Sequence, residues 1–414
     1  MLLLGRQMAS RGIDCEYWFS RGSNRLPEFL ATGQARLATM SQLAQRLEKN
    51  DVDVVQMTAS DPGAEIVAQL AQGNARVIVT ARGALSDIWN ARNCFAYTAI
   101  SKGMAAVNQP YSDVEIEVVR NSIDLDRFVA NSDTRRDASA PIVAFVGRTK
   151  SPEKDFPRFT RIASRLVAQG TRVWIADPHE GSWSNFEGTG AVPIHAERWA
   201  PVPHTEIADF YRAVAASNGV VLMTSLSEGF GNVAPEAAAC GARVAAPDVL
   251  GLREAVVDGV TGRLFAANQD DDSVAAMLSE WMATPHDGNA VAAAARREFS
   301  PTVMMDAYAS IYARRSPRLV GVRPAVTNVP AEMPLLLEHL HRQREWRADF
   351  TWKAAMNLGD AGMGRATRRA MALALRTAPS QFVNATGARQ FVRMTRAIVG
   401  SLLRGSPAVP VTSS

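Results

Sequence analysis

Short apolar runs separated by polar, helix-patterned stretches recur through the first part of the chain. Cys15–Phe19, Val52–Met57, Arg76–Thr80, Phe95–Ile100 and Glu115–Val119 each have strand length and turn-forming neighbours. Their alternation with helical stretches predicts a parallel sheet with covering helices over residues 14–128. The pattern resumes at Ile142–Val146, with further strands expected at Arg172–Ala176, Gly219–Thr224 and Arg243–Ala246. After Val146, apolar residues at Phe156, Phe159, Ile162, Leu166 and Val167 keep close to a 3.6-residue period, and Pro157 marks the start of that helix. Residues 131–140 are polar and patternless, a linker. Met1–Ser10 reads as a helix stopped by Gly12, so the chain opens on a helix with no strand before it. Beyond Arg314, helices are expected at Pro334–Phe350, Trp352–Leu358, Gly364–Thr377 and Ala388–Leu403, without any fixed repeat.

At 414 residues the chain exceeds one ordinary core. The pattern divides it into residues 1–130, a linker at 131–140, a second α/β unit at 141–314 and a helical extension at 315–414. Hydrophobic content of 47% with 21% charged residues is that of a globular protein. No apolar run reaches the ~20 residues of a membrane span. The first residues have too short an apolar core for a secretory signal. Three widely spaced cysteines, Cys15, Cys94 and Cys240, form no disulfide framework and suggest a reducing, cytoplasmic setting. The net charge of +4 is unevenly spread: from Ser316 onward 13 Arg and 1 Lys face 3 Glu and 2 Asp, a net of +9, leaving −5 for the rest. The basic tail is read first as helices packed on the body with solvated arginines. The sharper reading is attachment to an anionic membrane face. Stacking aromatics are not interleaved with the basic residues, so nucleic acid is not expected.

The densest chemistry follows the apolar segment Gly219–Thr224, in the run Ser225-Leu-Ser-Glu228-Gly229-Phe230-Gly231-Asn232-Val233-Ala-Pro235-Glu236. Two glycines permit a sharp bend and close backbone approach to a ligand. Pro235 is expected at the first position of a helix running through Cys240 to a stop at Gly241. Free amides at a helix start attract anions. Glu228 and Glu236 beside such a site suit sugar and ribose hydroxyls better than phosphate. A nucleotide-sugar pocket is the implied ligand site.

The run resembles the Glu-x7-Glu signature of glycosyltransferase family 4, a retaining group. Val146-Gly147-Arg148 followed by Glu153-Lys154-Asp155 is similar to that family's phosphate-binding stretch. Val119-Arg-Asn121-Ser-Ile-Asp124-Leu-Asp-Arg-Phe128 resembles the segment closing its first domain. Gly251-Leu-Arg-Glu254 and Asp258-Gly-Val-Thr-Gly262-Arg-Leu-Phe265 match its downstream elements in order, and the resemblance covers residues 1–314. It implies an α/β GT-B fold, two Rossmann-like domains facing a cleft, here with a C-terminal α-helical extension. It also implies a metal-independent transfer of a hexosyl or related unit from a nucleotide-diphosphate sugar, the co-substrate, with no separate cofactor. The acceptor would be a glycan, a lipid-linked glycan or a small molecule, as in polysaccharide biosynthesis, and the setting cytoplasmic or peripheral at the inner membrane face. Arg148, Lys154 and Glu228 carry the catalytic expectation. Gly147, Gly229, Phe230, Gly231, Asn232, Val233 and Glu236 join them in donor binding, with Arg82 and Gly83 in the first-domain cleft. Two other classes stay open: a GT-B-fold binding or scaffold protein without turnover, consistent with the absent opening strand, and a nucleotide-sugar epimerase.

Other motifs have bland explanations. Asp51-Val-Asp53 lies at a strand start, Asp124-Leu-Asp126 in a turn and Asp270-Asp-Asp272 at a helix start, where capping or solvation accounts for the carboxylates. Asn121 and Asp124 are expected to fix the turn that ends the first domain. His339 and His341, two apart on a helix, diverge and do not share a metal. Phosphate-loop, serine-elbow and cysteine-pair signatures are missing from the sequence.

Overall fold

A computed structural model of the chain describes residues 2–20, 26–58, 63–83, 94–109, 112, 114–130, 140–178, 186, 188–285, 287–315, 350–377, 391–392, 394–396 and 398–399. It separates into two compact units. One comprises Met1–Ala99, Ala105–Val118 and Ala309–Ser414; the other comprises Ile100–Met104 and Val119–Tyr308.

The first unit opens on α1 (Leu2–Ala9), and the Gly12 amide donates back to Ala9 O at 3.0 Å with the glycine at φ +76°, the expected stop. Then follow β1 (Tyr17–Phe19), α2 (Leu26–Leu30), β2 (Ala35–Leu37), α3 (Met40–Glu48), β3 (Val54–Thr58), α4 (Ala64–Ala71), β4 (Arg76–Ala81), β5 (Ala96–Ala99), α5 (Lys102–Asn108) and β6 (Glu117–Val118). Thr39 and Gln42 form a reciprocal capping box at the start of α3. All ladders are parallel, but they form two sheets: β1 with β2, and β3-β4-β5-β6. Among the described residues no ladder joins them. Every position of β1 and β3 is half-buried, whereas β4 is buried from Val77 to Ala81 and β5 throughout. β2 was not among the expected strands; at three residues, one of them Arg36, it has no readable apolar period.

In the tail, residues 350–360 are helical, as is Gly364–Thr377. The second helix packs on α4. It buries Ala366, Ala370, Met371 and Ala374 and exposes Arg365, Arg368 and Arg369. Arg369 also donates to Gln69 O of α4 at 3.1 Å. Most of the expected Pro334–Phe350 and Ala388–Leu403 helices, His339 and His341, and linker residues 131–139 lie outside the described residues.

The second unit contains β7 (Ile142–Val146), α6 (Phe156–Val167), β8 (Arg172–Ala176), β9 (Arg198–Ala200), α7 (Ile207–Ala216), β10 (Val220–Leu222), α8 (Val233–Ala239), β11 (Arg243–Pro247), α9 (Leu252–Ala255), β12 (Arg263–Phe265), α10 (Asp271–Ala283) and α11 (Gly288–Glu298). The last helix, α12 (Pro301–Ala313), has residues to Tyr308 in this unit and the rest in the first. Six parallel strands order as β12-β11-β10-β7-β8-β9. The core packs Phe145 and Ile175 of the sheet against Phe156, Phe159, Ile162 and Leu166 of α6, the face whose period the sequence displays. Strand order reverses between β7 and β10, which pair Val143 with Val220. In open parallel sheets the ligand crevice lies past the carboxyl ends of the strands at such a switch point.

Candidate functional site

Two loops leave the sheet at that switch point. Beyond β7, Gly147 N still bonds Ala176 O at 3.0 Å, and the chain then turns through Arg148 and a short 3-10 helix, Pro152–Lys154. Asp155, at φ +43°, caps α6 by accepting from Arg158 N. Beyond β10, Met223 to Asn232 form the bend, and Gly231 takes φ +87°, where a Cβ would meet Leu252 Cδ2 at 2.5 Å. This position demands glycine.

The loops are bolted together. Buried Thr224 reaches Lys154 O at 2.9 Å and Asp155 O at 3.0 Å with its hydroxyl, and Leu226 N donates to Glu153 O at 2.9 Å. On this frame Lys154 Nζ meets Glu228 Oε1 at 2.5 Å, with side-chain exposures of 16% and 13%. Ser225 Oγ donates to the same oxygen at 2.9 Å. The cation and first carboxylate picked out in the sequence, 74 residues apart, therefore share one site. Arg148 pairs with Glu153 Oε1 at 2.6 Å in a more open position. Burial pushes the Glu153 carboxyl up, yet the Ser151 hydroxyl, its own amide and the charges of Arg148 and Lys154 together hold it below the usual range.

The remaining expected residues divide. Phe230 is 1% exposed and packs edge-on against Phe299, so its ring belongs to the core and only its backbone remains for a ligand. Asn232 is exposed and accepts at Oδ1 from Asn121 Nδ2 at 3.0 Å. α8 begins at Val233, two residues before the expected start at Pro235. A proline still fits there, because amides of the first turn have no intrahelical acceptor. Glu236 lies on α8 facing α7, with the Tyr211 hydroxyl 3.5 Å from Oε2. Burial, then the Glu236 charge, raises the Tyr211 phenol well above its ordinary value. Arg82 and Gly83 belong to the first unit, just beyond β4, where Gly83 O accepts from Asn108 Nδ2 at 3.3 Å. The site assembled at the switch point consists of second-unit residues.

Several contributors escaped the motif reading. Asp177, 1% exposed at the end of β8, accepts the Thr149 amide at 3.1 Å and its hydroxyl at 2.5 Å, anchoring the Arg148 loop. Ser101 Oγ donates to Gly229 O at 2.7 Å. An N-cap serine after an apolar strand was the available signal, but nothing in sequence names its distant acceptor. Asp270 caps α10 and Asp124 accepts from the Asp126 and Arg127 amides, as the capping expectation has it, whereas Asp271 is neither a cap nor solvated but pairs with Arg158 and Arg161. Among the described residues no group of three or more His, Cys, Asp or Glu is placed to hold a metal, and no helix is long and apolar enough to cross a membrane.

Residues 140–284 match the family described as Glycosyl transferases group 1. D-inositol 3-phosphate glycosyltransferase 2 of Catenulispora acidiphila is 33% identical over 236 residues, covering 50% of this chain and 52% of its own. D-inositol 3-phosphate glycosyltransferase of Frankia alni is 34% identical over 198 residues, 44% of this chain and 47% of its own. The chain thus spans about half the length of the curated relatives it matches. A glycosyltransferase from Rickettsia africae aligns with a TM-score of 0.60 at 16% identity, over 75% of this chain and 92% of its own. An Anabaena protein in complex with UDP-glucose aligns at 0.58 and 16% identity, over 74% and 93%. These likenesses identify the fold as GT-B.

Proposed function

We propose, from the group 1 glycosyl transferase domain at residues 140–284, that this chain moves a sugar from a nucleotide-diphosphate donor to an acceptor with retention at the anomeric carbon. The observation that carries the reading is the Lys154–Glu228 contact of 2.5 Å at the switch point of the second sheet. A transfer of this kind develops negative charge on the leaving diphosphate and positive charge on the sugar. Arg148, a fork of donors, and Lys154, a point charge, suit the first. Glu228 suits the second and the sugar hydroxyls, while Glu236 suits the ribose hydroxyls. Fixed side-chain cations and amides around Gly231 to Val233 supply the stabilisation that a divalent ion supplies elsewhere, so the transfer proceeds without metal. The diphosphate displaces Glu228 and Glu153 as partners of the two cations when it binds.

The names of the curated relatives make a small polyol phosphate the first acceptor to assay, ahead of glycans and lipid-linked glycans. Exposed arginines of the tail helix give an anionic membrane surface a place to attach. The experiment is a thermal-shift screen of sugar nucleotides, since a bound donor raises the melting temperature by linkage. Turnover of wild type, Arg148→Ala and Lys154→Ala in EDTA follows. Each substitution is expected to remove about 2–4 kcal/mol of transition-state stabilisation, and near wild-type turnover in either variant overturns the assignment. Binding of donors with no turnover on any acceptor favours the scaffold reading. Release of an altered sugar nucleotide without acceptor favours an epimerase.

A further inference from the structure

The bend carrying Glu228 is fixed at both ends but contains two glycines, which bring no rigidity of their own. Leu226 is tied to Glu153, and Asn232 to Asn121. Between them Lys154 and Ser225 hold the Glu228 side chain, and Ser101 anchors the backbone. This residue is 0% exposed; its hydroxyl donates to Gly229 O at 2.7 Å and accepts from Met104 N at 3.0 Å. A single hydroxyl therefore caps α5 and grips the residue next to Glu228.

Ser101 is in turn held by α9. Glu254 accepts Lys102 N on Oε2 at 3.0 Å and Gly103 N on Oε1 at 2.9 Å, a two-point clasp of carboxylate on amides. The same neighbours meet through bare backbone. A Cβ on Gly103 would lie 3.1 Å from Gly251 N, and one on Gly251 would lie 2.2 Å from Glu228 O. Residue 103 packs on the backbone of residue 251 beside the Leu250 side chain, and residue 251 packs on the carbonyl of residue 228, so a displacement of one is passed to the next. Residues 100–104 group with the second unit, to which all of these partners belong.

We propose that Ser101 and Glu254 are positioning residues, which set the direction of the Glu228 carboxylate and through it the grip on the transferred sugar. The inference rests on the donor reading given above. It makes a distinction that a purely structural role does not: on the donor reading Arg148, Lys154 and Glu236 hold the nucleoside diphosphate from beyond this cluster, so the sugar's share of binding depends on it most.

The test compares wild type, Ser101→Ala, Ser101→Thr and Glu254→Gln by calorimetry with UDP and UDP-glucose, or with GDP and GDP-mannose if the wild type prefers them. Ser101→Ala is expected to weaken sugar-nucleotide binding by about tenfold, the worth of one net hydrogen bond, and diphosphate binding by less than twofold. Glu254→Gln follows the same pattern more weakly, and Ser101→Thr, which keeps the hydroxyl, restores affinity to within about threefold. Unchanged affinities in Ser101→Ala, or equal losses for both ligands, overturn the proposal. Hydrogen exchange of the ligand-free proteins reads the same claim without any donor. The amides of Gly229 to Gly231 should exchange at least tenfold faster in Ser101→Ala while those of α6 do not change, and equal rates overturn it. A wild type that binds none of the nucleotides sinks the donor reading, and the exchange measurement still decides the positioning role.

Discussion

Gly251→Ala is the sharpest single test of how the bend is supported. Gly251 has φ +84° and ψ −49°, a sparsely populated backbone that costs an L-residue about 1–3 kcal/mol. Its Cβ would fall 2.2 Å from Glu228 O and 2.8 Å from the carbonyl carbon, against 3.4 Å or more for ordinary contact. The Glu228 carbonyl must therefore recede by about 1 Å, and a misplacement of that size at a site can cost on the order of a hundredfold in rate. Overpacking of this kind adds about 1–3 kcal/mol to the conformational term. Gly259→Ala is the control, because Gly259 has φ +73° but nothing within 4 Å of its Cβ. The control should lose about 1 kcal/mol and leave donor binding intact. Gly251→Ala should lose about 3 kcal/mol, a drop of roughly 6–12 °C in melting temperature for a unit of this size. It should also lose most of its sugar-nucleotide affinity. Thermal unfolding and calorimetry on the two variants read both quantities. Equal melting temperatures together with equal affinities would refute the argument that Gly251 carries the position of Glu228.

Three further outcomes follow from single observations. Thr224→Val removes the hydroxyl that pins Lys154 O and Asp155 O, and urea denaturation should show a loss of about 1–2 kcal/mol; an unchanged midpoint would contradict the bolted-loop description. Burial, reinforced by the Glu236 charge and opposed by Arg212, pushes the Cys240 thiol up to about 12. The unfolded thiol titrates near ~8.5, so above that pH the unfolded state binds fewer protons and stability falls by up to about 1.4 kcal/mol per pH unit until the native thiol titrates. Cys240→Ala should remove that component between pH 9 and 10 in urea unfolding, and identical slopes for the two proteins would reject it. Finally, amides on the open edges of β1 and β3 should exchange well before those of β4 and β5, which lie between or beside paired strands; uniform protection across the six strands would mean that the two sheets close on each other in solution.

The legible parts of this chain are those where local pattern and tertiary role coincide. α6 was readable because its buried face, Phe156, Phe159, Ile162 and Leu166, repeats at the helical period and is bounded by Asp155 and Pro157. β7, β8, β10 and β11 were readable as apolar runs because a strand covered on both faces has no polar side to show. β2, β9 and β12 were not, since three residues, each triplet including an arginine, carry no period at all. The candidate site divides the same way. Lys154 and Glu228 stand in spaced motifs whose residues must be those types to handle charge, so they could be singled out before their meeting was visible.

Ser101 and Asp177 lie at the opposite limit. Each is a polar residue just past a strand end, the commonest of all places for one, and its sequence neighbours only predict a cap or a turn. What distinguishes them is an acceptor or donor supplied 128 residues away for Ser101 and 28 residues away for Asp177. The Asp177 pairing is set by the order of strands in the sheet, which places β7 and β8 side by side and brings their trailing loops within reach of one another, while the Ser101 pairing joins residues that share no sheet. Motif reading therefore finds the charged groups proposed to face a donor and misses the groups that hold them. The second set is where substitutions should separate sugar binding from nucleotide binding, because a residue that touches no ligand can alter only the geometry of one that does.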